Sequence, residues 1–495
     1  MSCHPFQVDE VFRLIVEELV AFSPGSALSL ALCCKSLTDL SLSVLWERQK
    51  RLSTLIKVLP PDAWTYEETD SPRGELTVLR DISSREWEKL RKYASWMREL
   101  EFLEGEDEIS QDVFDVLLRG PYSKPLRPRL LKLSWIADSV FGGDFTPFLS
   151  PQLRDVHLVS RLGTLFPFSH AISALPASSL KSLRLSIIGD EQVRETIVSM
   201  FRTCGKSLTT LEVSRMDQLR DSSWCRIMLL PRLRNLETDQ RPPIMFPARF
   251  PVCFPSLRQI TLRGSTASGW VHFLAGDNLQ RISSSKESQP RMVTPRLAQL
   301  YCDYGMELDV TFISRFRAFR NISVLVLGNG CSRTARCTFL LTDEDISRLA
   351  MELPGLKQLS LGVPCAHNNC RTTVNSLLAL STHCKGLREL CIHFNTRNFA
   401  RDMRDSLHNP LRRNSYPPLR CPLAVLDVGV TPLTAEALGE DVFPTVAGLV
   451  DIFPRLQKIR FYTLSSYTSW GWWQLGAQIP SFQEMRKSLP AVFTK

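Results

Sequence analysis

The chain has 495 residues, 44% of them apolar and 22% charged, which supports a folded protein and excludes wholesale disorder. Its formal charge of +9 is spread over 60 basic and 51 acidic residues. No Lys/Arg run is long enough to track a phosphate backbone, so no nucleic-acid partner is expected. No stretch approaches the roughly 20 uninterrupted apolar residues of a membrane helix, and Met1-Ser2-Cys3-His4-Pro5 lacks the basic-then-apolar build of a secretory leader, so the expectation is no membrane partner and a cytoplasmic or nuclear location.

Residues 1–50 predict a module of three helices. Val11, Phe12, Ile15 and Leu19 fall on one helical face behind Asp9 and Glu10, whose charges suit a helix N-terminus. Ser23-Pro24-Gly25-Ser26 then breaks the chain, and two apolar stretches follow, 28–34 and 37–46. A unit of about 50 residues buries too little surface to be robustly stable alone. Its surplus apolar side chains, Phe12, Leu30 and Leu32 among them, therefore need either the rest of the chain or a partner. Residues 51–96 read as a connection: a helix over 48–59, a linker at Pro60-Pro61 and 67–74, and an amphipathic helix over 84–96 with Trp87, Leu90 and Ala94 on one side.

From residue 97 to 461 one apolar pattern, large-x-x-large-x-large, recurs fourteen times, as in Leu180/Leu183/Leu185, Leu257/Ile260/Leu262 and Leu387/Leu390/Ile392. The second and third positions alternate as a half-buried strand requires, and the first sits on the turn leading in. First positions lie 18 to 36 residues apart, which matches irregular leucine-rich repeats. Segments 192–204, 343–353 and 374–384 read as return helices; 264–295, 364–373 and 397–422, rich in Ser, Pro, Asn and Arg, read as loops. The fold class is α/β: residues 97–466 form a solenoid with parallel strands on its concave face and helices or loops on the convex face. Two copies, Leu233/Leu236/Thr238 and Leu279/Ile282/Ser284, end in a polar residue and predict distorted strands. Residues 467–495 carry Trp470, Trp472 and Trp473, which either cap the last repeat or line a binding pocket.

Motifs for chemistry are missing. There is no phosphate-cradling Gly-rich loop, no Gly-x-Ser-x-Gly elbow and no His-Glu-x-x-His helix. Cys365, His367 and Cys370, with His383, Cys384, Cys391 and His393 nearby, do not follow a standard zinc spacing. Fourteen dispersed cysteines fit free, buried thiols in a reducing compartment. No cofactor, metal or catalytic residue is assigned.

The N-terminal module resembles an F-box, the helical unit that attaches target receptors to the Skp adaptor of SCF-type ubiquitin ligases. The resemblance rests on Pro5, Glu10-Val11, Ile15, Leu19, residues 28–33, Lys35, Leu37 and Val44-Leu45-Trp46. Asp9 stands where the family usually carries Pro. Followed by leucine-rich repeats, such a module implies a non-enzymatic receptor with two partners: a Skp-type adaptor, joined through it to a cullin scaffold, and an unknown protein target. The implied adaptor contacts are Pro5, Val11, Phe12, Ile15, Leu19, Leu28, Leu30, Leu32, Leu37, Leu45 and Trp46. Target contacts are expected just after the strands, at Arg184, Ser186, Arg263, Asn329, His393 and Asn395, together with Trp472. The alternative is a repeat scaffold whose N-terminal helices act as a cap and which has no ligase role.

Overall fold

Short apolar alternations between long return segments cannot pair as hairpins, so they pair in parallel with the equivalent strand of the next repeat. The computed structural model describes residues 9–33, 35–67, 74–104, 109–119, 126, 128–137, 145–160, 172–176, 178–187, 191–215, 219, 221–242, 254–263, 267–275, 296–302, 313–328, 340–361, 370–408, 421–429, 431–434, 438, 442–462 and 469–488. Two units emerge, Met1–Leu233 and Arg234–Lys495.

In the first unit, α1 (Asp9–Phe22), α2 (Pro24–Cys33) and α3 (Lys35–Glu47) close on Phe12, Val16, Ala27 and Val44. Leu19, Val20, Leu30, Leu37, Leu40 and Leu45 pack partly buried against that core. α3 runs directly into β1 (Arg48–Gln49), which pairs in parallel with β4 (Glu99–Leu103). The helix expected over 48–59 is therefore reduced to α4 (Ser53–Ile56), because the sheet edge claims the backbone of Arg48 and Gln49. The expected connection also holds an antiparallel hairpin, β2 (Trp64–Glu67) with β3 (Glu75–Val78). The amphipathic helix is present as α5 (Ser84–Trp96), opened by a capping box in which Ser83 and Glu86 satisfy each other's backbone N–H.

Beyond α5 the strands β4, β5 (Lys132–Ala137), β6 (Asp155–Ser160), β7 (Ser182–Ile187) and β8 (Thr210–Ser214) pair in parallel in chain order, with α6 (Gln111–Arg119) between β4 and β5. The register stacks Leu100, Leu133, Val156, Leu183 and Leu211 into one buried row. Trp135 is fully buried in this core, with ring centroids 4.3 Å from Phe102 and 5.9 Å from Phe145.

Among the described residues the second unit repeats the rule over eight strands: β9 (Asn235–Thr238), β10 (Gln259–Leu262), β11 (Gln299–Cys302), β12 (Val324–Leu327), β13 (Gln358–Leu361), β14 (Glu389–Ile392), β15 (Val425–Asp427) and β16 (Lys458–Arg460). Every neighbouring pair is parallel, and Leu236, Ile260, Leu300, Leu325, Leu359, Leu390, Leu426 and Ile459 lie in register as a buried ladder. These parallel, in-register strands with helical returns make each unit a run of leucine-rich repeats. β9 is a regular strand despite its polar end, since Thr238 is fully buried and its hydroxyl accepts from Gln240 N–H at 3.0 Å. The copy at 279–284 lies outside the described residues, and β10 pairs directly with β11.

Return helices occur at Glu191–Cys204, Asp343–Glu352 and Val374–His383, as the spacing predicts. Two segments read as loops also contain helices, Ala267–Ala275 and Phe399–His408. Their inward apolar residues, Trp270, Val271 and Phe273 in one and Phe399 and Met403 in the other, supply the burial that outweighs the polar composition around them. Side chains also staple consecutive repeats. The Asp343 carboxylate accepts from Thr373 N–H at 2.7 Å, Thr373 Oγ1 at 2.6 Å and Ser376 Oγ at 2.5 Å, capping the next helix. Cys384 donates to the carbonyls of Ala350 and Leu353, and Cys421 to those of Cys384 and Leu387. Burial pushes these thiols up to about 12 and about 11, so both remain protonated and structural.

Candidate protein-interaction surfaces

On α1 the core residues Phe12, Val16, Leu19 and Val20 cover one side, while Val11, Leu14, Ile15 and Phe22 form an adjoining stripe at helical spacing. That stripe is exposed: Leu14 at 61% and Phe22 at 85% of their full surface. α2 carries a second pair one turn apart, Leu28 and Leu32, with Leu32 78% exposed. A helix in a monomer does not normally leave large aliphatic and aromatic side chains in water on this scale.

Only some of the expected adaptor contacts face out. Val11, Ile15, Leu28 and Leu32 are exposed, whereas Phe12 is buried at the centre of the module. Leu19, Leu30, Leu37 and Leu45 are half-buried against that centre and hold the helices together. Trp46 belongs to an internal contact, its ring 4.7 Å from Tyr93 of α5. Phe12 is thus corrected from a partner contact to a packing residue, because the chain itself covers it, whereas Trp46 remains half-buried beside Tyr93. Pro5 lies outside the described residues. Leu14 and Phe22, which the sequence did not single out, are exposed as well and fall within the helical stripe that Val11 and Ile15 begin.

The second surface is the polar side of the repeat strands. Next to the buried row of each strand lies a residue on the opposite side of the sheet: Glu101, His157, Arg184 and Glu212 in the first unit, with Ser134 buried among them, and Ser360, Cys391, Asp427 and Arg460 in the last four strands of the second. Arg184 pairs with Glu212 at 3.8 Å, and Ser134 Oγ lies 3.2 Å from His157 Nδ1. Burial, then Arg184 nearby, holds His157 below the usual imidazole range. Ser186 is half-buried at the next outward position of β7. Arg263 is exposed and paired with Glu237. Asn329 lies outside the described residues.

Residues just past β14 have a different role. His393 is 1% exposed, its Nδ1 2.9 Å from Thr431 Oγ1. Gly429, at φ +58°, packs so close that a Cβ there would stand 3.0 Å from the imidazole. Asn395 shapes a turn, its Oδ1 accepting from Arg397 N–H at 3.0 Å. Trp472 is fully buried, donating from Nε1 to Thr431 O at 2.8 Å, with its ring 5.5 Å from Phe394 and 5.4 Å from Phe399. His393 and Trp472 are therefore corrected to core positions, because Gly429 and Thr431 pack on the imidazole and the helix Trp470–Ser488 turns the indole inward onto Phe394 and Phe399. The outward residue of each Leu-x-Leu was legible as the polar letter between two apolar ones, a better sequence signal for the surface than the position after the strand.

In the second unit the outward residues of β12–β16 enclose a hollow of ≈ 180 Å³. Val326, Gln358, Ser360, Glu389, Cys391, Val425, Asp427 and Arg460 line it, over Leu359 and Leu390. Burial, then the Asp427 carboxylate, pushes the Cys391 thiol well above its usual range, so it is a neutral donor rather than a nucleophile. Among the described residues no group of three or more His, Cys, Asp or Glu is placed to hold a metal, and no helix is long and apolar enough to cross a membrane.

No family model matches this chain, and no curated protein matches it. Among solved structures it is similar to an internalin (InlF) of Listeria monocytogenes, at 13% identity over 79% of this chain and 82% of that one, with a TM-score of 0.34. It is also similar to the Rad7–Elc1 complex of yeast, at 16% identity over 92% of this chain and 88% of that one, with a TM-score of 0.31.

Proposed function

We propose that this chain is the non-catalytic target receptor of an SCF-type ubiquitin ligase: α1–α3 dock a Skp-type adaptor, and through it a cullin scaffold, while the repeat strands hold a protein target. The observation that carries this reading is the exposed apolar set Val11, Leu14, Ile15, Phe22, Leu28 and Leu32 on a module already complete around Phe12. Burying six such side chains contributes about 9–18 kcal/mol at most, against an association cost of about 4–15 kcal/mol. Val11 and Ile15 are already partly covered, so Leu14, Phe22 and Leu32 carry most of the gain. Ubiquitin transfer itself then belongs to other subunits, and the receptor acts by raising the local concentration of its target.

The test is capture of a purified Skp-type adaptor by the full-length chain. Wild type should retain it, and L14D/F22D or L32D should lose at least tenfold in affinity while melting at the wild-type temperature. No adaptor retained by wild type refutes the ligase role. A repeat scaffold capped by these helices is favoured by one specific observation, the continuation of α3 into β1 at the sheet edge beside β4. On that reading the same variants bind nothing differently.

A further inference from the structure

The hollow on the second unit has a size, a floor and a charge arrangement that together select a ligand. At ≈ 180 Å³ it is smaller than the roughly 300–1,000 Å³ of sites that enclose whole small molecules. It suits one or two side chains of a polypeptide lying across the strands.

Its charges are separated. Glu389 is exposed, and its cross-strand neighbours Gln358 and Val425 are uncharged. No ion pair reaches Glu389 among the described residues. Arg460 is exposed at the other end, opposite Asp427 in register, and no ion pair joins these two. The Asp427 carboxylate instead accepts from Gly429 N–H at 2.8 Å and faces the Cys391 thiol. Glu389 on β14 therefore presents a carboxylate, and Arg460 on β16 a guanidinium, with no ion pair to either among the described residues. Val326 and Val425 give the hollow an apolar lining for a methylene stem.

Resting on the receptor reading above, we propose that this hollow is the target-specificity pocket and that it takes an extended segment of a protein target carrying one basic and one acidic residue. The basic side chain lies across Val425 with its cation on the Glu389 carboxylate, and the acidic side chain meets Arg460. Glu389 and Arg460 are two strands apart and offset by two residues, roughly 11–12 Å at standard sheet spacings. An extended peptide rises about 3.3–3.6 Å per residue, so the two target residues stand three to four positions apart. A guanidinium meets the Glu389 carboxylate better than an ammonium because its planar fork can donate to both carboxylate oxygens at once.

The test uses arrayed synthetic nonapeptides in a Ser/Gly/Thr frame, carrying one Arg and one Glu at every separation from one to seven positions, with Lys, norleucine and Gln replacements. The probe is the purified full-length chain. Binding should peak at separations of three to four, fall about tenfold when Arg becomes norleucine, and fall similarly in E389K or R460E. Binding that ignores separation, peptides with acidic residues alone binding as well, no peptide exceeding the bare frame, or E389K binding like wild type would each overturn the pocket. Both variants change exposed side chains, and a wild-type melting temperature shows that their fold is intact. Adaptor capture is measured on the same preparations. Its loss in wild type would count against the ligase role alone, and its retention in E389K separates the two surfaces.

Discussion

The stability of this protein should be local, and Asp343 is where that is most directly measured. Its carboxylate receives three hydrogen bonds from Thr373 and Ser376 of the following repeat, at 2.5–2.7 Å, and so caps the helix Val374–His383 from outside. Hydrogen bonds to a charged acceptor contribute about 1.5–3 kcal/mol each. Here three share one half-exposed carboxylate, and Thr373 Oγ1 still accepts from Asn375 N–H at 3.2 Å. Asp343→Ala should therefore cost about 2–3 kcal/mol, in the range of a lost helix cap with an added charge-assisted bond. Asp343→Asn keeps an acceptor and should cost about 1 kcal/mol. Hydrogen–deuterium exchange of the full-length chain is the suitable assay, because a long repeat array need not unfold in one step. Amides of the helix 374–383 and of β14 should exchange roughly 30- to 150-fold faster in the Ala variant, while β4–β7 are unchanged. Uniform acceleration along the chain, or protection within twofold of wild type at 374–392, would refute the stapling argument.

Trp472→Ala should remove a fully buried indole and its bond to Thr431 O, at a cost of about 3–5 kcal/mol. Trp473→Ala, at a position 59% exposed, should leave thermal melting unchanged; equal effects of the two would contradict the orientation of the final helix. Glu86 is held down to about 2, chiefly by hydrogen bonds from Arg80 and then from Ser83. A depressed carboxylate adds stability above its unfolded value of roughly 4.3 and loses it as pH falls toward about 2. Both Glu86 and Arg80 are solvent-screened, so the effect is small; acid titration of helix content should be shallower between pH 4.5 and 2 in Glu86→Gln than in wild type.

The periodic elements were legible because their cause is local. The Leu-x-Leu alternation places β7, β10 and β14 without reference to any distant residue, and Ser83 with Glu86 marks the start of α5 three residues apart. The helix Phe399–His408 was hidden because the ring that closes over Phe399, Trp472, lies more than seventy residues on along the chain. β1 was read as helix because its hydrogen-bonding partner, Glu99–Leu103, lies some fifty residues on. The exposed apolar set of the helical module was legible in type and only partly in direction: composition marks Phe12 and Leu14 alike as apolar, and three-helix packing alone decides that one is core and the other surface.

By itself the amino-acid order determined that this is a repeat protein with parallel strands and a separate helical opening, because spacing and polarity act on neighbours a few residues apart. Which side chains remain available to partners was decided only by tertiary structure. His393 is covered by Gly429 and Thr431 and Trp472 is turned inward onto Phe394 and Phe399, while Glu389 and Arg460 are brought to opposite ends of one hollow by strand register. Burial depends on what packs above a residue, and that neighbour is set by the fold rather than by adjacency in the chain.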